Sequence, residues 1–259
     1  MGTPESHRCT LPSGLAADVL VGGEGPPLVF LHGHQGRRWD AFLTALSQRF
    51  TVYAPQHPGA EDPDELLSLD AFSDLCLYYD DLFRTLGVER PLLVGHGFGG
   101  MVAAELAATQ PDAPSALVLI GSLGLWIDED PVTDISTIPA EQVPATLCSD
   151  PGAESVRELF AMPDDPQAMG ELVISKMTML AAVNHFIWPI PDRELRRRLY
   201  RIAAPTLLVW GRDDRFVPAS YAGAFLSGIS NAKTLVLEGA GHYVQLERLE
   251  EVVSAISDL

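Results

Sequence analysis

Leu92-Leu93-Val94-Gly95-His96-Gly97-Phe98-Gly99-Gly100, running into Met101-Val102-Ala103-Ala104-Glu105-Leu106-Ala107-Ala108, is the stretch on which the fold turns. Three apolar residues in succession mark a strand covered on both faces. The glycines at 95, 97, 99 and 100 then impose a tight turn. The alanine-rich run that follows prefers a helix. A buried strand, a small-residue turn and a helix in immediate succession are one unit of a parallel α/β sheet.

The same unit repeats on both sides of it. Strand-like runs occur at Ala17–Val21, Pro27–His32, Thr51–Ala54, Pro91–Val94, Ala116–Ile120, Pro205–Trp210 and Thr234–Leu237. Helical patterns fall between them at Trp39–Phe50, Leu69–Leu86, Phe98–Thr109, Pro218–Ser227 and Tyr243–Ile256. This alternation predicts an α/β fold with a doubly wound, mostly parallel sheet, right-handed crossovers and a site beyond the carboxyl ends of the strands. It lapses from Gly124 to about Pro191, where Pro131, Pro139, Pro144, Pro151, Pro163 and Pro166 separate short segments. That stretch is predicted to be an inserted helical cap, residues 124–192, on a core of residues 1–123 and 193–259. Its apolar side chains would line a pocket over the sheet, with Trp126, Phe160, Met177 and Trp188 as candidate substrate contacts.

Composition narrows the partners. A net charge of -18 repels a phosphate backbone and an anionic membrane surface, so neither nucleic acid nor membrane is expected. No apolar run approaches the roughly 18 residues of a membrane span, and the polar start Met1-Gly-Thr-Pro-Glu-Ser-His lacks a secretory pattern. A cytoplasmic location follows as the expectation. Cys9, Cys76 and Cys148 are too few and too scattered for a disulfide framework or a metal site. The basic residues Arg193, Arg196, Arg197, Arg198 and Arg201 are spaced as the wet face of a helix carrying Leu195, Leu199 and Ile202. His32, His34 and His57 match no familiar metal spacing, and His32 reads as a side chain holding its loop. No metal or cofactor is expected, the partner is a small-molecule substrate, and a homo-oligomer is left open.

Residues 92–100 resemble the nucleophile elbow of the α/β-hydrolases, in which Gly-x-Ser-x-Gly carries the attacking serine on a strained turn. Here the pattern reads Gly95-His96-Gly97-Phe98-Gly99, with glycine where the serine belongs. Other segments extend the resemblance over nearly the whole chain, from about residue 14 onward. Leu31-His-Gly-His-Gln-Gly follows a strand, and the resemblance implies an oxyanion hole from the backbone N–H groups of His34 and Phe98. Trp210-Gly-Arg-Asp-Asp-Arg-Phe-Val-Pro fits the family's Gly-x-x-Asp-x-x-x-Pro, which selects Asp214 over Asp213 as the acid. Leu237-Glu-Gly-Ala-Gly-His-Tyr presents His242 before the last helix. Elbow, acid and histidine stand in the chain order of this family, and the cap length and Gly99-Gly100 look most like esterases, lactonases and carbon–carbon hydrolases of the meta-cleavage type.

Three functional readings follow. The first is a hydrolase for a small, largely apolar ester, lactone or ketone-type substrate, with Gly97 in the serine's place so that covalent hydrolysis is impaired or absent. The second is a general-base enzyme in which His242, held by Asp214, works without a covalent step, as in cofactor-free oxygenases or lyases. The third is a small-molecule binding protein without chemistry.

Overall fold

The computed structural model describes residues 3–188 and 194–259. Eight strands among them, β1 (Glu5–Thr10), β2 (Ala16–Gly22), β3 (Pro27–Leu31), β4 (Thr51–Pro55), β5 (Leu92–His96), β6 (Ala116–Ile120), β7 (Thr206–Gly211) and β8 (Ala232–Leu237), form one sheet. Their order is β1-β2-β4-β3-β5-β6-β7-β8. β2 is antiparallel to both β1 and β4, and every pairing from β4 through to β8 is parallel. The sheet is therefore mostly parallel and the α/β reading stands. Every residue of β5, β6 and β7 is buried, which is why these strands read as unbroken apolar runs.

The helices are α1 (Ala41–Leu46), α2 (Phe72–Thr85), α3 (Phe98–Thr109), α4 (Val143–Leu147), α5 (Glu154–Phe160), α6 (Pro166–Ile187), α7 (Ser220–Gly228), α8 (Val244–Glu247) and α9 (Leu249–Ser257). α3 is apolar nearly all round because it is enclosed, and its small side chains let it lie close on β3, β5 and β6. The approach is closest at its start. A Cβ added to Gly99 would lie 2.0 Å from the carbonyl oxygen of Leu31. From β3 the chain passes out to β4 and returns to β5 on the other side, so the loops after β3 and β5 diverge at the switch point where open sheets hold their ligands.

Three details differ from the sequence reading. β1 went unread because its residues are almost all exposed and carry no apolar alternation; it is a polar edge strand held by pairing with β2. The last helix is broken at Arg248 (φ -134, ψ 52), whose guanidinium donates to the carbonyl of Glu238. The arginine cluster is not one wet helical face. Leu195–Arg197 and Leu199–Arg201 are short 3-10 turns pinned by buried Leu195, Leu199 and Ile202. Arg198 pairs with Glu105 at 2.8 Å and Arg201 donates to the Ala108 carbonyl at 2.8 Å, so both clamp the carboxyl-terminal half of α3, where cations are favoured. Arg193 and the predicted boundary at residue 192 lie outside the described residues. Helices α4, α5 and α6 occupy the stretch between β6 and β7, with no strand among its described residues.

Beneath the β3 loop sits a closed histidine network. His32 Nδ1 donates to the Gly33 carbonyl at 2.8 Å and its Nε2 accepts the His57 backbone N–H at 3.3 Å. His57 Nε2 donates to the His32 carbonyl at 2.8 Å, and its Nδ1 is bonded by the Tyr79 hydroxyl. Each ring is thereby fixed as a neutral tautomer, which explains His32 as a structural residue. Burial lowers the His57 pKa from 6.5 to about 4, so the fold holds it neutral while an unfolded chain protonates it below about 6.5. The unfolded state binds the extra proton, and stability falls as pH drops through that window, by roughly 3 kcal/mol for this one group. Urea midpoints measured from pH 7 down to about 4 are expected to fall more steeply for the parent than for His57→Gln. Equal slopes would contradict the assignment.

Candidate active site

Gly97 lies between the end of β5 and the start of α3 at φ 54, ψ -112, a conformation that glycine adopts freely and L side chains rarely do. It is fixed on both sides. Its N–H donates to Ile120 at 2.9 Å, and its carbonyl accepts from Leu123 at 3.0 Å and Met101 at 3.2 Å. The turn between β5 and α3 is thereby held in this conformation. A Cβ built here would stand 3.0 Å from His242 Nε2 and 3.8 Å from the Cα of Gly33.

Asp214 follows β7 in a loop anchored by Trp210, whose indole N–H donates to the Val217 carbonyl at 3.1 Å. The Asp214 Oδ1 accepts the N–H groups of Phe216 and Val217, both at 2.9 Å, which turns its other oxygen to His242. Asp213 instead is exposed. His242 Nδ1 donates to Asp214 Oδ2 at 2.9 Å, and both side chains are fully buried. Its ring packs on His96, with centroids 4.5 Å apart, and edge-on against Phe216 at 4.8 Å. Burial lowers the His242 pKa to about 3, so the imidazole is neutral with its Nε2 lone pair turned toward Gly97. That nitrogen is buried and has no hydrogen-bond partner. Burial pushes the Asp214 carboxyl up, opposed by its two backbone donors.

The β3 loop meets the elbow directly, since Gly99 N–H donates to the His32 carbonyl at 3.1 Å. Phe98 is the first residue of α3, where N–H groups have no intrahelical acceptor. His34 is the second residue of a turn closed by Gly36 N–H to Gly33 carbonyl at 3.2 Å. Gly97, Asp214, His242, His34 and Phe98 thus gather at the carboxyl edge of the sheet.

Three further residues support the neighbourhood: Phe216 and His96 stand at variable positions of the quoted motifs, and Glu247 lies outside any motif. Phe216 is in ring contact with both His34, at 5.0 Å, and His242. His96 Nε2 donates to the His242 carbonyl at 3.1 Å. Glu247 accepts Gly241 N–H at 2.7 Å with one oxygen and the N–H groups of Ser149 and Asp150 with the other, bracing the histidine loop against the 124–192 segment. A glutamate at the last position of the four-residue α8 carries no signal of that kind in sequence.

A cavity of about 480 Å³ lies between the β3 loop and the 124–192 segment. Its lining includes His34 and Gln35 from the core and Val143, Phe160, Met162, Lys176, Met177 and Leu180 from the segment. Of the four cap side chains considered as substrate contacts, Phe160 and Met177 line this cavity. Trp126 and Trp188 are not among its lining residues. The Trp126 indole N–H is engaged by Asp128 at 2.9 Å, and Trp188, at the end of α6, is 53% exposed. A second cavity of about 470 Å³ sits near the amino ends of β3, β5 and β6, between Arg49 and Arg90.

The chain belongs to the α/β hydrolase family, whose model matches residues 28–255. Its relatives include the 2-hydroxy-6-oxononadienedioate/2-hydroxy-6-oxononatrienedioate hydrolase of Paraburkholderia phymatum, 29% identical, with 93% of this chain and 85% of that protein aligned. They also include the 2-hydroxy-6-oxo-6-phenylhexa-2,4-dienoate hydrolase of Comamonas testosteroni, 28% identical over 88% of this chain and 85% of that one. Among solved structures, the esterase from Exiguobacterium antarcticum superposes with a TM-score of 0.76 at 16% identity, covering 98% of each chain. This last likeness is one of fold. No helix among the described residues is long and apolar enough to cross a membrane, and none of their His, Cys, Asp and Glu side chains form a group of three or more that could hold a metal ion.

The Cβ clearance at Gly97 sets a stability test. A serine there must adopt an unfavourable φ and push the His242 ring by a few tenths of an ångström. Gly97→Ser is expected to destabilise the protein by about 1–3 kcal/mol in urea denaturation, and His242→Ala is expected to relieve part of that cost in a double-mutant cycle. A serine variant as stable as the parent would contradict this reading of the elbow.

Proposed function

We propose that this chain acts on a small, largely apolar ester, lactone or ketone-type molecule seated in the cavity beneath the 124–192 segment, which serves as its cap. His242 and Asp214 form the dyad, and Gly97 closes the covalent route. One observation carries the reading: a buried, neutral imidazole is held by Asp214 on one nitrogen and presents the other, unpaired, to the empty nucleophile position.

With no serine to activate, His242 serves as general base. It takes a proton from a water molecule as that water attacks the substrate carbonyl, and the N–H groups of His34 and Phe98 receive the developing oxyanion. The protonated ring then returns the proton to the departing group as the tetrahedral adduct collapses. Asp214 stabilises the transient imidazolium and keeps Nδ1 protonated, so that Nε2 remains the basic nitrogen. The dyad is the feature that favours this route over pure binding, because a binding protein has no need of a buried acid–histidine pair. No cofactor enters the scheme.

The relatives that act on dienoates suggest the substrate's other end. A dienoate carries a carboxylate, and Lys176 is the charged group on the cavity wall. Its ammonium is partly desolvated and stands near Arg38, both of which lower its pKa. An anionic ligand beside it relieves that repulsion, so carboxylate-bearing substrates suit this cavity better than neutral ones of the same shape.

The test is turnover of nitrophenyl esters. The parent is expected to hydrolyse them weakly and without a burst, His242→Ala to abolish this, and Gly97→Ser to gain a burst and about a thousandfold or more in rate. A folded Gly97→Ser that stays inert on short, aromatic and lactone substrates would overturn the proposal.

A further inference from the structure

The side chain of His34 takes no part in the dyad or the oxyanion contacts. The oxyanion role belongs to its backbone N–H, and the dyad is complete without it. Yet His34 is 95% buried, and neither of its buried ring nitrogens has a hydrogen-bond partner. The buried rings at 32, 57 and 96 all have partners, which makes the contrast informative. A buried polar group left unsatisfied is disfavoured, and such groups in a folded protein call for an occupant.

Its position says what kind. His34 lines the cavity, whereas Gly97, Phe98, Asp214 and His242 do not. Its ring is 6.2 Å from that of His242, tilted by 32°, with Phe216 packed edge-on to both. His34 thus borders the cavity on one side and lies within reach of the dyad on the other. Around it the cavity wall is mainly aliphatic and aromatic: Ile135, Val143, Pro144, Phe160, Leu180. Burial and the neighbouring rings of His242 and His96 keep His34 neutral, which leaves it one N–H donor and one lone pair.

We propose that the His34 side chain is the specificity-determining polar contact of this cavity, donating a hydrogen bond to a carbonyl or carboxyl oxygen of an otherwise apolar ligand and holding that group beside His242. Its imidazole acts as a positioning group, a role separate from that of its backbone N–H. The proposal rests on the reading of the cavity as the substrate's seat, but it concerns recognition and not turnover.

The experiment reads binding alone. Acetophenone and its hydrocarbon counterpart cumene are titrated against the parent, His34→Leu and His34→Gln, with dissociation constants taken from NMR shifts and folding checked by thermal melting. His34→Leu is expected to weaken acetophenone by about tenfold while leaving cumene unchanged or tighter. His34→Gln, which keeps a donor and an acceptor, is expected to hold acetophenone within about threefold of the parent. In protein labelled with ¹⁵N-histidine, acetophenone and not cumene is expected to shift a ring nitrogen of His34, and this decides the matter should the leucine variant fail to fold. Equal weakening of both probes, no weakening of either, or no binding of acetophenone to the parent at millimolar concentration would overturn the proposal. Because no turnover is involved, an inert Gly97→Ser would leave this result standing, and an active one would not rescue it.

Discussion

The backbone of α3 presses against the end of β3 so closely that no side chain fits at Gly99, where a Cβ would meet the Leu31 carbonyl at 2.0 Å. From that contact the rest of the site follows. It fixes the start of α3, and with it Phe98, beside the β3 loop that carries His34, and Gly97, between β5 and α3, adopts a positive φ. The parallel strands β5 and β7 then deliver Gly97 and the Asp214 loop to one edge, and His242 comes in after β8 to lie between them. A substitution at Gly99 would disturb all of these positions together, because the contact is with backbone and cannot be relieved by a rotamer change.

At the centre, chemistry and stability oppose each other. A side chain at φ 54 would store backbone strain, and glycine at position 97 takes that conformation without it. In the dyad, by contrast, a histidine is held neutral and fully buried against a carboxyl group. Such an arrangement costs folding free energy at acid pH and has no packing advantage over an apolar pair of the same volume. A buried acid–histidine pair of this cost, facing a glycine, is the physical reason for proposing that the histidine has a role of its own.

Much of this was legible in the sequence because it rests on local rules. Buried parallel strands advertise themselves as apolar runs, and α3 was readable residue for residue because its start is fixed by glycines and its length by alanines. Asp214 and His242 were found through the family's pattern and chain order. What escaped was whatever depends on tertiary contact. β1 has no apolar face to betray it. The arginines after residue 193 look like a solvated surface until Glu105 and the end of α3 are seen to receive Arg198 and Arg201. Trp126 and Trp188 carry the same aromatic signal as Phe160, and only the packing of α4, α5 and α6 decides which of them faces the cavity. Glu247 and Phe216 support the histidine from positions that no spacing rule connects to it.

The account stands on the protonation state and direction of one ring. Nitrogen-15 NMR of histidine-labelled protein, followed from neutral pH downward, reads this directly. His242 is expected to appear as the neutral tautomer protonated at Nδ1 and bare at Nε2, and to remain so well below the ordinary histidine pKa of 6.5 until the protein itself unfolds. A His242 that titrates near 6.5, or that carries its proton on Nε2 at neutral pH, would contradict the account.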